Sequence, residues 1–239
     1  MVMNLKLNFF WGFWLLYVGS LLLAPSHFPF GGEPLWQLQP ATLTEVKQES
    51  LNFFFVLPIL NYFGWRSPLT PVLNPVDEAL FNFAVAWMWL FLPVMAGDRK
   101  GQHLPYFAFW GLGMFLTNVF LLPYMALRRS ISPQPFLPKP WFTRLFAWVG
   151  ICVGIIAIGW FGLARPEFGL LGDRLDYFFL RLGDSRLTVA FMVDLLCFWF
   201  IQIFLMGDLT TKDSVWQTLR FVPFFGVAWW LLFDRRSSS

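Results

Sequence analysis

Asp194 lies about ten residues into the apolar run DSRLTVAFMVDLLCFWFIQIFLMGD, which places it roughly 15 Å along a helix, close to the middle of a bilayer. A carboxyl group at that depth must be neutral, paired with a group on another helix, or turned towards a polar cavity. Interhelical hydrogen bonding as structural glue and a role in proton transfer or ligand binding are both open to it. Gln202, two turns further on, is offset by about 80° on the helical wheel, so the two could line a broad polar face but not a narrow one. Asp77 and Glu78 follow Asn74 and Pro75 in NPVDEALF. There an Asn cap, a first-turn Pro and the positive end of the helix dipole account for two acids without chemistry. Asn82 stands one turn after Glu78 on the same face, so this patch can point into a bundle. Were it to meet Asp194, two carboxyl groups would share a low-dielectric pocket, and their unequal proton affinities would leave one acid and one base. The candidate catalytic residues are therefore Asp194, Glu78 and Asp77, and the candidate ligand-binding residues are Asn82, Gln202 and Arg220. Arg220, in VWQTLRFVPFFGVAWW, either snorkels to the headgroups or pairs with Asp208 or Asp194.

Other chemistries lack their residues. The two histidines, His27 and His103, are not spaced one helical turn apart, which argues against a bis-His haem or a histidine metal centre, so no metal site is expected. There is no Walker A motif, no G-x-S-x-G, no HExxH and no CxxC. Cys152 and Cys197 sit inside apolar stretches and read as small hydrophobes. No cofactor can be named from these residues.

The elements that must hold such groups are membrane helices. Apolar residues make up 57% of the 239-residue chain and charged ones 13%, about half the charge of a soluble domain. Aromatics reach 21%, more than a water-soluble core of this length could hide. The 17 Lys and Arg are scattered in short connections rather than forming a stripe, so nucleic acid is not an expected partner and the lipid bilayer is. Six segments approach the roughly 20 apolar residues of a span: 7–24, 76–97, 104–126, 142–164, 186–206 and 215–233. A seventh, 51–65, is shorter and carries Pro58, so it is a tilted span, a re-entrant segment or an interfacial helix. Thr42 and Glu45 have capping-box spacing, and DRLDYFFLRLG over 173–183 has the stride of an amphipathic helix lying flat in the headgroups. The run SPQPFLPKP should be extended. Gly150 and Gly154 allow close helix packing, which we assign within the chain. The connection at 127–144 carries Arg128, Arg129, Lys139 and Arg144 without an acid, which places it on the cytoplasmic side, although Lys and Arg otherwise divide almost evenly between the two faces. The expected fold is an all-α polytopic bundle of six or seven spans plus an interfacial amphipathic helix, one integral-membrane domain over 1–239.

The stretch NPVDEALFNFAVAWMW resembles, over about ten residues, the Pro-x-acid-acid-x-x-Phe element of small integral-membrane carotenoid and terpene cyclases. That resemblance implies a proton donor at Asp77 or Glu78, with intramembrane carboxylates protonating a polyene. The whole chain, with DEALFNFAVAWMW and DSRLTVAFMVDLLCFWF, is similar in style to uncharacterised polytopic membrane proteins of oxygenic phototrophs. The functional expectation is a multi-pass protein of a plasma or thylakoid-type membrane that binds an isoprenoid- or pigment-like ligand between helices, with a proton-transfer isomerase or cyclase as its enzymatic form. An assembly or accessory subunit of a larger membrane (photosynthetic) complex, contacting other subunits, is the second expectation. A transporter is the third.

Overall fold

The structure, a computed structural model, describes residues 2–26, 33–40, 63–64, 72–129, 131 and 138–234, residues 2–8 by backbone alone. The segment 51–65 apart from its residues 63–64, the Thr42/Glu45 pair, His27 and residues 132–137 of the Pro-rich run lie outside the described residues. Among the described residues the chain is all-α, with helices α1 (Val2–Val18), α2 (Pro75–Gly97), α3 (Tyr106–Leu116), α4 (Asn118–Leu127), α5 (Pro140–Leu163), α6 (Leu171–Asp184), α7 (Arg186–Leu209), α8 (Trp216–Leu219) and α9 (Phe225–Phe233). Three of these, α2, α5 and α7, are long and apolar enough to cross a membrane. At the start of α2 the Asn74 side chain accepts from the Val76 N–H at 3.0 Å, and Pro75 has no donor to leave unsatisfied. α2 is apolar on every side and buried along most of its length, whereas α5 is exposed along most of its length.

Contacts group the chain into two units, residues 1–17, 86–152 and 194–239 in one and 18–85 and 153–193 in the other. In the first, the run expected as one span over 104–126 is α3 and α4 doubled back on each other. The Phe109 and Tyr124 rings pack 5.7 Å apart, and a Cβ on Gly113 would lie 3.6 Å from Leu121, pairs that place the reversal at Thr117. Beyond α4, the Arg129 N–H donates to the Lys100 carbonyl at 2.9 Å, so the chain returns to the loop from which α3 departed. Thr117, at φ +39°, caps α3 by donating to Gly113 O at 2.9 Å. Apolar length alone cannot distinguish such a hairpin from a crossing.

The span expected over 215–233 is broken in the same way. α8 and α9 are separated by Phe224, at φ +57°. The reversal is tight, because any Cβ on Gly226 would collide with the Leu219 carbonyl. Phe224 packs on Trp87 at 5.7 Å, and Trp87 on Phe198 at 6.0 Å. From there α9 runs back to the first turns of α5, where Leu232 and Phe233 meet Arg144 and Trp148. Gly150 of α5 lies against Leu90 and the Ala86 carbonyl of α2, the intramolecular close packing expected of it.

In the second unit, Phe81 of α2 and Phe191 of α7 pack edge to face at 5.6 Å. α6 lies beside the end of α5, and its buried Arg174 donates to the carbonyls of Trp160, Phe161, Ala164, Arg165 and Gly169. A guanidinium there satisfies carbonyls of the last turn of α5 and of the chain that leaves it. Leu171, Leu175, Phe179 and Leu180 occupy the exposed side of α6.

Candidate functional site

α7 carries Asp194 into the first unit with 3% of its surface exposed. Three donors converge on its carboxylate. Tyr17 of α1 donates its hydroxyl to Oδ1 at 2.7 Å, Thr117 at the hairpin tip donates to Oδ2 at 2.7 Å, and Asn118 Nδ2 donates to Oδ1 at 2.7 Å. Asn118 is also the first residue of α4, so the carboxylate sits where the helix dipole is positive. The left-handed turn at Thr117 is what brings these two side chains round to one acceptor. A strained non-glycine residue of this kind costs about 1 to 3 kcal/mol, which the contacts it makes possible must offset.

Gln202 does not join this cluster. Its Nε2 donates to the carbonyls of Arg220 and Val222, at 2.9 and 2.8 Å, the carbonyls exposed where α8 ends and the second hairpin turns. Arg220 lies over the Phe221 ring at 4.8 Å, and Asp194 and Asp208 are paired with other groups. The ligand-binding role expected of Gln202 and Arg220 thus finds them inside a hairpin turn.

Glu78 and Asp77 belong to the second unit and have their own partners. Arg165 donates to both Glu78 oxygens, at 2.8 and 3.1 Å, and Trp160 Nε1 donates at 2.7 Å. Asp77 accepts from Tyr177 at 2.7 Å and Thr188 at 3.2 Å, which ties α2 to α6 and α7. The two acids therefore do more than cap α2. Asn82 donates to the Glu78 carbonyl at 2.7 Å, a bond within the helix. Asp194 belongs to the first unit and Glu78 to the second, each with the partners given above.

One cluster was missed in the sequence. Asp98, after α2, accepts from Arg128 at 2.6 and 2.9 Å and from Tyr124 at 2.8 Å. Asp208, near the end of α7, accepts from Arg128 at 2.8 Å and from Lys100 at 2.7 Å. Burial works against the Arg128 charge, but the hydrogen bond and charge of Asp98 and the charge of Asp208 outweigh it and hold the guanidinium protonated beyond its ordinary range. The signal was present: MAGD, MALR and LMGD each end an apolar run on a charge. From the sequence, Arg128 counts as a loop charge and Asp208 only as a partner of Arg220.

Between α2 and α5 of the second unit is an open cleft of about 270 Å³ lined by Ala79, Leu80, Phe83, Ala157, Ile158 and Phe161. Its lining starts at Ala79, one residue beyond Glu78 on α2, and brackets Trp160 on α5 with Ala157, Ile158 and Phe161. Among the described residues no group of acids, histidines and cysteines could hold a metal ion. Compared with family models, curated proteins and solved structures, the chain matches none.

Proposed function

We propose that the chain is a multi-pass membrane protein that holds a chain-like hydrophobic molecule, of isoprenoid or pigment type, in the cleft between α2 and α5. The carrying observation is the cleft itself, open and lined wholly by apolar side chains on two helices of membrane-crossing length. Its volume of about 270 Å³ is near the lower end for small-molecule sites, which suits one segment of a long molecule whose remainder stays in the bilayer. Glu78 and Trp160, joined with Arg165 in one cluster, adjoin the lining residues Ala79 and Phe161 in the sequence. Both Glu78 oxygens are already taken, so delivering a proton from there would require breaking an ion pair, and this favours holding a molecule over cyclising one. In this reading α1, α2, α5 and α7 cross, and the hairpins α3–α4 and α8–α9 enter without crossing. That replaces the six or seven spans suggested by apolar length.

The test is extraction in mild detergent followed by mass spectrometry of whatever accompanies the protein. An apolar molecule enriched over bulk lipid, and lost in Ile158→Trp, is expected. Ile158 is 55% exposed, so Trp can fill the cleft from outside without disturbing the core. No enrichment, or equal enrichment in the variant, overturns the proposal. Protein subunits in the same extract would instead favour a place in a larger membrane complex.

A second reading, a transporter, draws on one feature: a hairpin tip at which the N-terminus of α4 faces the buried Asp194 carboxylate, as broken-helix N-termini face anionic groups in transporters. Asp194→Asn should then abolish uptake in proteoliposomes.

A further inference from the structure

Outside these clusters, the first unit has an open groove of about 320 Å³ between the start of α5 and the end of α9, lined by Arg144, Trp148, Leu232 and Phe233. Arg144 is exposed and has no ion-pair partner among the described residues. Of the four cations in the 127–144 connection, Arg128 is consumed by Asp98 and Asp208. The acid nearest the groove along α9, Asp234, accepts from Trp230 of its own helix at 2.8 Å. Arg235 and Arg236 follow it in the sequence. The groove therefore combines one uncompensated cation with an apolar floor and a Trp 57% exposed at its edge.

We propose that this groove binds an anionic glycerophospholipid, its phosphate on the Arg144 guanidinium and one acyl chain along Trp148, Leu232 and Phe233. A soluble anion would gain nothing from three apolar walls, and a neutral lipid would leave the guanidinium without a counter-charge. Trp and Arg at the ends of apolar helices suit the headgroup boundary, where the ring lies at the interface and the guanidinium reaches phosphate. Acyl chains are as well accommodated in bulk lipid as against Leu and Phe. Selectivity must therefore come from headgroup charge, about fivefold for one basic residue near the surface.

The test uses the delipidated full-length chain in neutral detergent, titrated with fluorescently labelled phosphatidylglycerol or phosphatidylcholine of identical chains. The wild type should prefer phosphatidylglycerol about fivefold. Arg144→Gln should bring the two lipids to parity, Arg144→Lys should keep most of the preference, and Leu232→Trp should weaken both lipids by filling the groove. Equal affinities in the wild type, or an unchanged preference in Arg144→Gln, overturns the proposal. Displacement of the lipid by inorganic phosphate alone also overturns it, by assigning the site to a free anion. Arg144→Gln should retain any molecule held in the α2–α5 cleft, and Ile158→Trp should retain the lipid preference, so each site can fail without the other.

Discussion

The Asp194 carboxylate accepts hydrogen bonds from three side chains at once. Removing its carboxylate takes an acceptor from the Tyr17 and Thr117 hydroxyls and from the Asn118 amide, leaving Asn118 its bond to the Asp194 backbone carbonyl at 3.2 Å and the two hydroxyls 3.4 Å apart. An unsatisfied buried donor costs about 1 to 3 kcal/mol, while interhelical bonds in membranes fall towards the lower end of such values. Asp194→Ala should therefore destabilise the protein by about 2 to 4 kcal/mol in reversible detergent unfolding. Asp194→Asn, which retains one acceptor oxygen, should cost less than half of that, and Tyr17→Phe about 1 kcal/mol. Equal stability of Asp194→Ala and wild type would show that the carboxylate bears no structural load. The residue itself was legible, because depth along an apolar run is a property of one segment. Its partners were not, since Tyr17 lies 177 positions away and Thr117 reaches the carboxylate only through a reversal that hydropathy does not register. The same holds for Glu78: Arg165 was counted among connection charges, although its guanidinium takes both Glu78 oxygens.

At the level of elements, α7 organises both hairpins. Asp194 meets the first tip and Gln202 the second. The 80° or so between them on the helical wheel, read as the width of one polar face, is instead the separation of two neighbours. Buried backbone that leaves helical geometry survives only where other groups satisfy it, and Gln202 does this for the carbonyls of Arg220 and Val222. Both tips carry a non-glycine residue at positive φ, Thr117 and Phe224, so each turn is stable only while its contacts persist. Gly226→Ala should open the second hairpin, because the obstacle is the Leu219 backbone carbonyl and no side-chain rotation relieves it. A cost of about 1 to 3 kcal/mol and faster hydrogen exchange over 219–226 are expected, with exchange around Thr117 unchanged. Protection equal to wild type at 219–226 would contradict the packing described. Sequence periodicity found the long helices and α6, where one face repeats over many turns. It missed the hairpins, whose marks are short: Thr117-Asn118, able to cap a new helix inside an apolar run, and Arg220, Pro223 and Gly226 within eight residues of one another.

For the molecule as a whole, the hairpins change which connections share a face. With 104–126 counted as a crossing, the loops at 98–105 and 128–139 fall on opposite sides and the basic residues divide almost evenly. With α3 and α4 doubled back, residues 98–100 and 128–129 lie together, as the Asp98–Arg128 pair and the Arg129–Lys100 backbone bond require. On the proposed topology, the connections carrying Arg99, Lys100, Arg128, Arg129, Lys139, Arg144 and Lys212 would share one face of the membrane, and the connection carrying Arg165, Arg174, Arg181 and Arg186 the other. Two of that second group are turned inward, onto Glu78 and onto the last carbonyls of α5. On the proposed four-crossing topology this asymmetry would set the orientation, with the first face in the cytoplasm. Single cysteines at His103, Lys139, Lys212 and Glu167, all exposed positions, introduced with Cys152 and Cys197 replaced by Ser, provide the test with a membrane-impermeant maleimide. Cysteines at His103, Lys139 and Lys212 should resist labelling in intact cells and react in inverted vesicles, and that at Glu167 should do the reverse. If 104–126 crosses instead, the His103 and Lys139 positions will label from opposite sides, and Glu167 will follow His103.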